Sequence, residues 1–143
     1  MKKIIFFIKI KFIPLINRTF KRDKKYSRIL IYYSSKYFLS GGFADRLKGI
    51  ITAYQLSKIT RRKFKIIFNH PFKLTRIFDQ NKINWKMDSQ IEKNILSYSK
   101  YYDFIDETNP EKIKNNINNI MNDHNKVISI RINQDYSDYL SKD

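Results

Sequence analysis

All three glycines of this 143-residue chain fall within nine residues, in Ser40-Gly41-Gly42-Phe43-Ala44-Asp45-Arg46-Leu47-Lys48-Gly49. Elsewhere the backbone does without glycine, so Gly41 and Gly42 mark where it must turn tightly or come close to another group. An apolar, β-rich run, Ile29-Leu30-Ile31-Tyr32-Tyr33, precedes them. A proline-free stretch from Ala44 to Thr60 follows, with Leu47, Ile50, Ile51 and Tyr54 at helical spacing. The pattern reads as strand, glycine turn and helix, with Asp45 in the first helical turn. A helix N-terminus offers free N–H groups and partial positive charge, and glycines admit a ligand to the backbone. The same residues also suit a plain strand-to-helix connection. Two standard nucleotide cradles are excluded, because neither G-x-G-x-x-G nor the P-loop spacing occurs.

Beyond the helix, Arg61-Arg62-Lys63 supplies the cations that suit a helix C-terminus. Phe64 to Phe68 reads as a second strand, Lys73 to Phe78 as a short helix, and Asp79 to Asp88 as a polar loop around the lone tryptophan, Trp85. Signals from Ser89 to Tyr102 are mixed, with a helical stretch at Ile91 to Leu96 and a strand near Tyr101 to Ile105. Asn109-Pro110-Glu111 then combines a capping Asn, a Pro at the first helical position and an early acid. Ile113, Ile117, Ile120 and Met121 form the apolar stripe of that helix. Val127 to Ile132 is a further buried-looking strand, with Arg131 near its carboxyl end. The alternation predicts an α/β fold, a mostly parallel sheet flanked by helices, in which ligands sit at the carboxyl ends of the strands.

Charge is unevenly spread. Ten Lys/Arg face one acid in residues 1–28 and again in residues 29–76, whereas residues 77–143 hold nine against eleven. The net +16 therefore belongs to the first half. Such a half suits phosphate-rich partners, although the abundance of Lys, Asn and Ile together is also a plain compositional bias. No nucleic-acid-binding motif accompanies it. With no cysteine, disulfides and thiolate metal sites are excluded, and a reducing, cytoplasmic setting is the natural fit. His70 and His124 are far apart and neither has a second ligand at metal spacing, so no metal is expected. Met1 to Ile16 is apolar but broken by Lys9 and Lys11, too short to span a bilayer and without a small-residue cleavage site. Residues 1–28 read as a basic arm or linker suited to peripheral contact with an anionic membrane surface, and 29–143 as one α/β domain.

The stretch GGFADRLKGIITAYQLSKITRRKFKII, Gly41 to Ile67, resembles the first block of fucosyltransferase-like glycosyltransferases, the relatives of α-1,6-fucosyltransferase and protein O-fucosyltransferase. Gly41, Gly42, Phe43, Asp45, Arg46, Leu47 and Gly49 match that block, and so does Arg62-Lys63-Phe64. Pro71, Leu74 and Asn84-Trp85 resemble the segment that follows it. Ile130-Arg131-Ile132 is similar to the family's strand ending in His-x-Arg-x-Gly-Asp/Asn, with Ser129 in place of the histidine and Asn133-Gln134 in place of the last pair. Ala44 likewise replaces a frequent glycine.

The resemblance implies a Rossmann-like N-terminal half of a GT-B-type enzyme, transferring fucose from GDP-fucose to a glycan or protein hydroxyl with no metal or other cofactor. It also implies a second, donor-binding domain, which these 143 residues leave no room to build. Arg131 would stabilise the departing diphosphate. Asp45 would act as base or acceptor ligand, and Gly41, Gly42 and Arg46 would line the substrate site. Each has a simpler alternative: an ion pair of Arg131 with Asp135 or Asp138, helix-dipole complementation for Asp45, and a same-helix pair for Arg46. Outside the family, the alternative is a non-catalytic basic protein that binds nucleic acid or an anionic membrane through residues 1–28 and 58–65.

Overall fold

A computed structural model describes residues 28–34, 41–87, 92 and 97–140. The arm over 1–27 and nearly all of the helical stretch read at Ile91 to Leu96 lie outside the described residues. Four strands, β1 (Ile29–Ser34), β2 (Lys63–Phe68), β3 (Lys100–Asp103) and β4 (Val127–Arg131), form one parallel sheet in the order β2-β1-β4-β3. Ile29 faces Lys63 on one side and Val127 on the other, and Asp103 faces Arg131. Among the described residues two α-helices complete the α/β pattern, α1 (Phe43–Ile59) after β1 and α2 (Pro110–Met121) after β3.

The described residues thus form two strand–helix–strand units joined along β1 and β4. Both units step in the same direction across the sheet, so right-handed connections set both helices on one face. The buried residues agree: Leu30, Tyr32, Phe64, Ile66, Ile128 and Ile130 share a core with Ala53 and Leu56 of α1 and Ile113, Ile117 and Ile120 of α2. Alternate residues Ile29, Ile31, Ile67 and Val127 form a second core on the other face, against Met87 and Tyr98 of the β2–β3 connection. Strands covered on both faces read as near-continuous apolar runs, as β1 does, whereas β4 sets Ser129 and Arg131 on the face away from the helices.

Helix α1 buries only part of the side its apolar residues predict: Ile50 and Tyr54 pack against the core, but the most buried positions lie beside them. Arg46, Gly49, Thr52, Ala53, Leu56 and Ser57 face the sheet, while Ile51 is 51% exposed. Small side chains let the helix axis come close to the strands. A Cβ on Gly49 would stand 1.8 Å from the Ile132 carbonyl oxygen. The hydroxyl of Thr52 donates to Gln134 O at 3.1 Å and accepts from Tyr136 N at 3.0 Å, pinning the chain that leaves β4 across α1. Close backbone approach decides this packing more than hydrophobic periodicity does.

The helix ends follow capping chemistry. At the C-terminus of α1, Arg61 N–H reaches Lys58 O at 3.1 Å and Arg62 N–H reaches Ser57 O at 2.8 Å, with Arg61 at φ 52°. This is the Schellman arrangement, with arginine at the left-handed position that glycine favours. At α2, the Asn109 side chain accepts from Glu111 N at 3.0 Å and Lys112 N at 3.2 Å, the cap that the sequence predicts. Ile113, Ile117 and Ile120 are buried as expected, whereas Met121 is 42% exposed and lies off the stripe. The short helix read at Lys73 to Phe78 is a single 3₁₀ turn at Leu74–Arg76. Residues 84–86 run beside β2, with one parallel bridge from Ile66 to Lys86. Among the described residues, no helix is long and apolar enough to cross a membrane.

Candidate functional site

All four strands point the same way, so β1, β4 and the residues after them meet at one carboxyl edge. Gly41 takes φ +71°, and Gly42 caps α1 in an extended conformation. Residues Gly41 to Ala44 are exposed there. The carboxylate of Asp45, third residue of the helix, accepts from Gly42 N–H at 3.2 Å and pairs with Lys48 at 3.3 Å. Asp45 thereby performs the helix-capping role.

Arg46 is 5% exposed, too buried to be a free surface cation. Its Nε donates to Gly41 O at 3.1 Å and its Nη1 to Ser34 Oγ at 3.3 Å. Nη1 also donates to the carbonyl of His70, next to the cis His70–Pro71 peptide. The guanidinium carbon stands 5.5 Å from the Phe68 ring centroid. One side chain therefore ties the end of β1, the glycine turn and the loop after β2 together. Tyr32 lies in the same region, and burial pushes its phenol above the ordinary range, against the pull of Arg46 and Ser34.

Arg131 is built differently. Side chains alternate along β4, and Arg131 falls in the set of Val127 and Ser129, on the face away from α1. It pairs with Asp103, directly opposite on β3. Nε donates to Asp103 Oδ1 at 3.1 Å and Nη2 to Oδ2, a side-on two-point pair. Neighbouring Tyr101 is pushed up to about 12, by burial first and then by the Asp103 charge, with Arg131 acting against both. The fold thus gathers Gly41, Gly42, Asp45 and Arg46 on one side of the sheet edge and holds Arg131 on the other.

Sequence reading passed over the residues that brace this edge. Asn133, 5% exposed, donates to Asp106 Oδ1 at 2.6 Å and accepts from Asp106 N at 3.1 Å. It stands beside the glycine turn, 3.5 Å from where a Cβ of Gly41 would be. The Tyr136 hydroxyl donates to Glu107 O at 2.7 Å. A polar residue directly after a buried strand was the available signal for Asn133. No local pattern marks Asp103, whose role depends on strand order.

The amino edge carries a second polar cluster. Arg62, 3% exposed, donates from Nη1 to Asn125 O at 2.7 Å and from Nη2 to Asp123 O at 2.6 Å. Asp123 accepts from Tyr102 Oη at 2.7 Å and from Asn125 N at 2.6 Å. Burial works to raise its carboxyl, but the Tyr102 and Asn125 bonds and the Arg62 charge hold it below the usual range. Burial, and then Arg28, lower Arg62, while Asp123 and Tyr102 oppose them. Among the described residues no group of three His, Cys, Asp or Glu could hold a metal ion.

These elements define a parallel α/β domain. Comparison with protein-family models, with curated proteins and with solved structures finds no match to the chain.

Proposed function

We propose that this chain is a domain of a fucosyltransferase-like glycosyltransferase, with its sugar-nucleotide substrate at the carboxyl edge of the sheet. In the reaction an acceptor hydroxyl oxygen bonds to the anomeric carbon of fucose as the bond to GDP breaks. Charge gathers on the departing diphosphate. The supporting observation is the exposed Gly41–Ala44 turn at the head of α1, on the same sheet edge as Arg131. Free N–H groups there suit an anionic or hydroxyl-rich ligand. Arg131 contributes charge by exchanging Asp103 for the diphosphate. Buried Arg46 positions the turn through Gly41 O, and Asp45 fixes its N–H geometry. A base role for Asp45 requires it to release Gly42 and Lys48.

GDP titration by calorimetry at low salt tests this reading. Charge-assisted bonds contribute about 1.5–3 kcal/mol, so Arg131→Ala weakens GDP roughly tenfold to a hundredfold. Arg131→Lys recovers only part, because lysine lacks the two-point fork. Equal affinity in folded wild type and Arg131→Ala overturns the assignment. Loss of GDP binding on deletion of residues 1–28, with Arg131→Ala indifferent, favours the non-catalytic basic protein instead.

A further inference from the structure

The opposite side of β2 from its β1 partner holds a cavity of about 300 Å³, lined by Tyr54, Ser57 and Lys58 of α1, Arg62 to Phe64, and residues 82–84. That volume is at the lower end for a small-molecule site. Four of the nine lining residues are cationic, Lys58, Arg62, Lys63 and Lys82, and none is acidic. Lys58 lies 5.3 Å from the centroid of the Tyr54 ring. Neither Lys58 nor Lys82 forms an ion pair among the described residues.

Arg62 adds fixed charge to the cavity wall while its guanidinium serves the amino-edge carbonyls. It is 3% exposed, both its terminal nitrogens serve backbone carbonyls, and its Nε is buried with no acceptor. Beside it, Lys65 is buried with its ammonium on Asn84 O and Oδ1, both at 2.9 Å, adding charge behind the wall. Tyr54 and Phe64, with ring centroids 5.5 Å apart, and Ile83 give the same cavity an apolar side.

We infer that this cavity binds a small phosphorylated molecule, its phosphate between Lys58 and Lys82 and its ring or apolar part against Tyr54, Phe64 and Ile83. Lysine ammoniums provide point charges for phosphate, and the aromatic wall distinguishes a phosphate ester from the free ion. This site is separate from the glycine turn and does not depend on the glycosyltransferase reading.

The test titrates phenyl phosphate and inorganic phosphate into the full ¹⁵N-labelled chain at low salt, following backbone amides by NMR. Phenyl phosphate is expected to shift Tyr54 to Phe64 and Ile83 to Asn84, and to bind more tightly than inorganic phosphate. Lys58→Ala/Lys82→Ala should weaken it at least tenfold. Lys112→Ala/Lys114→Ala, which removes the same charge from α2, should leave it unchanged. Equal weakening by both double variants would show that binding follows net charge and overturn the proposal. Shifts confined to Gly41 to Ala44 would also overturn it, while leaving the carboxyl-edge site standing.

Discussion

The α carbon of Gly49 faces the carbonyl oxygen of Ile132 with no room for a side chain, since an added Cβ would stand 1.8 Å from that oxygen. Helix α1 and the chain leaving β4 meet backbone to backbone. Overpacking costs about 1–3 kcal/mol and occasionally more, and here the obstacle is main chain that cannot rotate away. Gly49→Ala should lose at least about 2 kcal/mol in urea unfolding. An unchanged midpoint would mean that α1 does not rest on Ile132.

The turn glycines should behave differently. Gly42 has ordinary backbone angles, and its nearest obstacle to a Cβ is Asp45 Oδ2 at 3.6 Å. Serine there can accept from the Asp45 N–H while Asp45 still accepts from residue 42, completing the reciprocal cap. Gly42→Ser is expected to raise stability by a few tenths of a kcal/mol, about what separates glycine from a good cap. A thermal melt of the two proteins at neutral pH measures it, and a lowered melting temperature contradicts the cap geometry.

Arg46→Lys keeps the charge and loses the fork that serves Gly41 O, Ser34 Oγ and His70 O together. Hydrogen bonds from charged groups contribute about 1.5–3 kcal/mol. A stability loss in that range is expected, with faster amide exchange at Gly41 and Gly42. Stability within about 0.5 kcal/mol of wild type, the usual range for surface changes, would make Arg46 an ordinary surface cation.

Arg61 occupies a left-handed position at φ 52°. Such a conformation costs a residue with a Cβ roughly 1–2 kcal/mol. Glycine removes that strain and adds disorder to the unfolded chain, so Arg61→Gly should stabilise by about 0.5–1 kcal/mol net. Destabilisation would show that the Arg61 side chain holds the helix end by another route.

Asp123 gives a pH signature. Its folded carboxyl is held below the ordinary value, by the Tyr102 and Asn125 bonds overcoming burial. The stabilisation is complete above the unfolded value of about 3.9 and disappears as pH falls through the lower folded one. Asp123→Asn should be less stable at neutral pH. The gap to wild type should close below about pH 4, where acid protonates the native carboxylate. A gap independent of pH down to 2 would mean that the effect is packing and not charge.

The strands, the two long helices and the Asn109 cap were legible in the sequence because local chemistry sets them. The buried side of α1 was legible only in part, at Ile50 and Tyr54. Ile51 carries the helical apolar spacing yet faces solvent, because Gly49, Thr52 and Ala53 permit a closer contact than any isoleucine could. For the candidate site, sequence marked the glycine turn and Arg131 but not their separation by the sheet. That separation follows from strand alternation plus the pairing of β4 with β3, a long-range fact absent from any short window. Asp103 was invisible for the same reason, and the burial of Arg46 could not be foreseen because its acceptors come from residues 34, 41 and 70.

Joining the two strand–helix–strand units through β1 and β4 has a consequence for biosynthesis. β1 acquires β2 soon after it leaves the ribosome, but its second neighbour is not made until Val127–Arg131 emerges. Through that interval an apolar strand stands with one edge open, able to recruit another chain. The nascent protein is therefore most exposed to misassociation midway through translation, and a chaperone that shields the edge of Ile29–Ser34 would protect it until the seam closes.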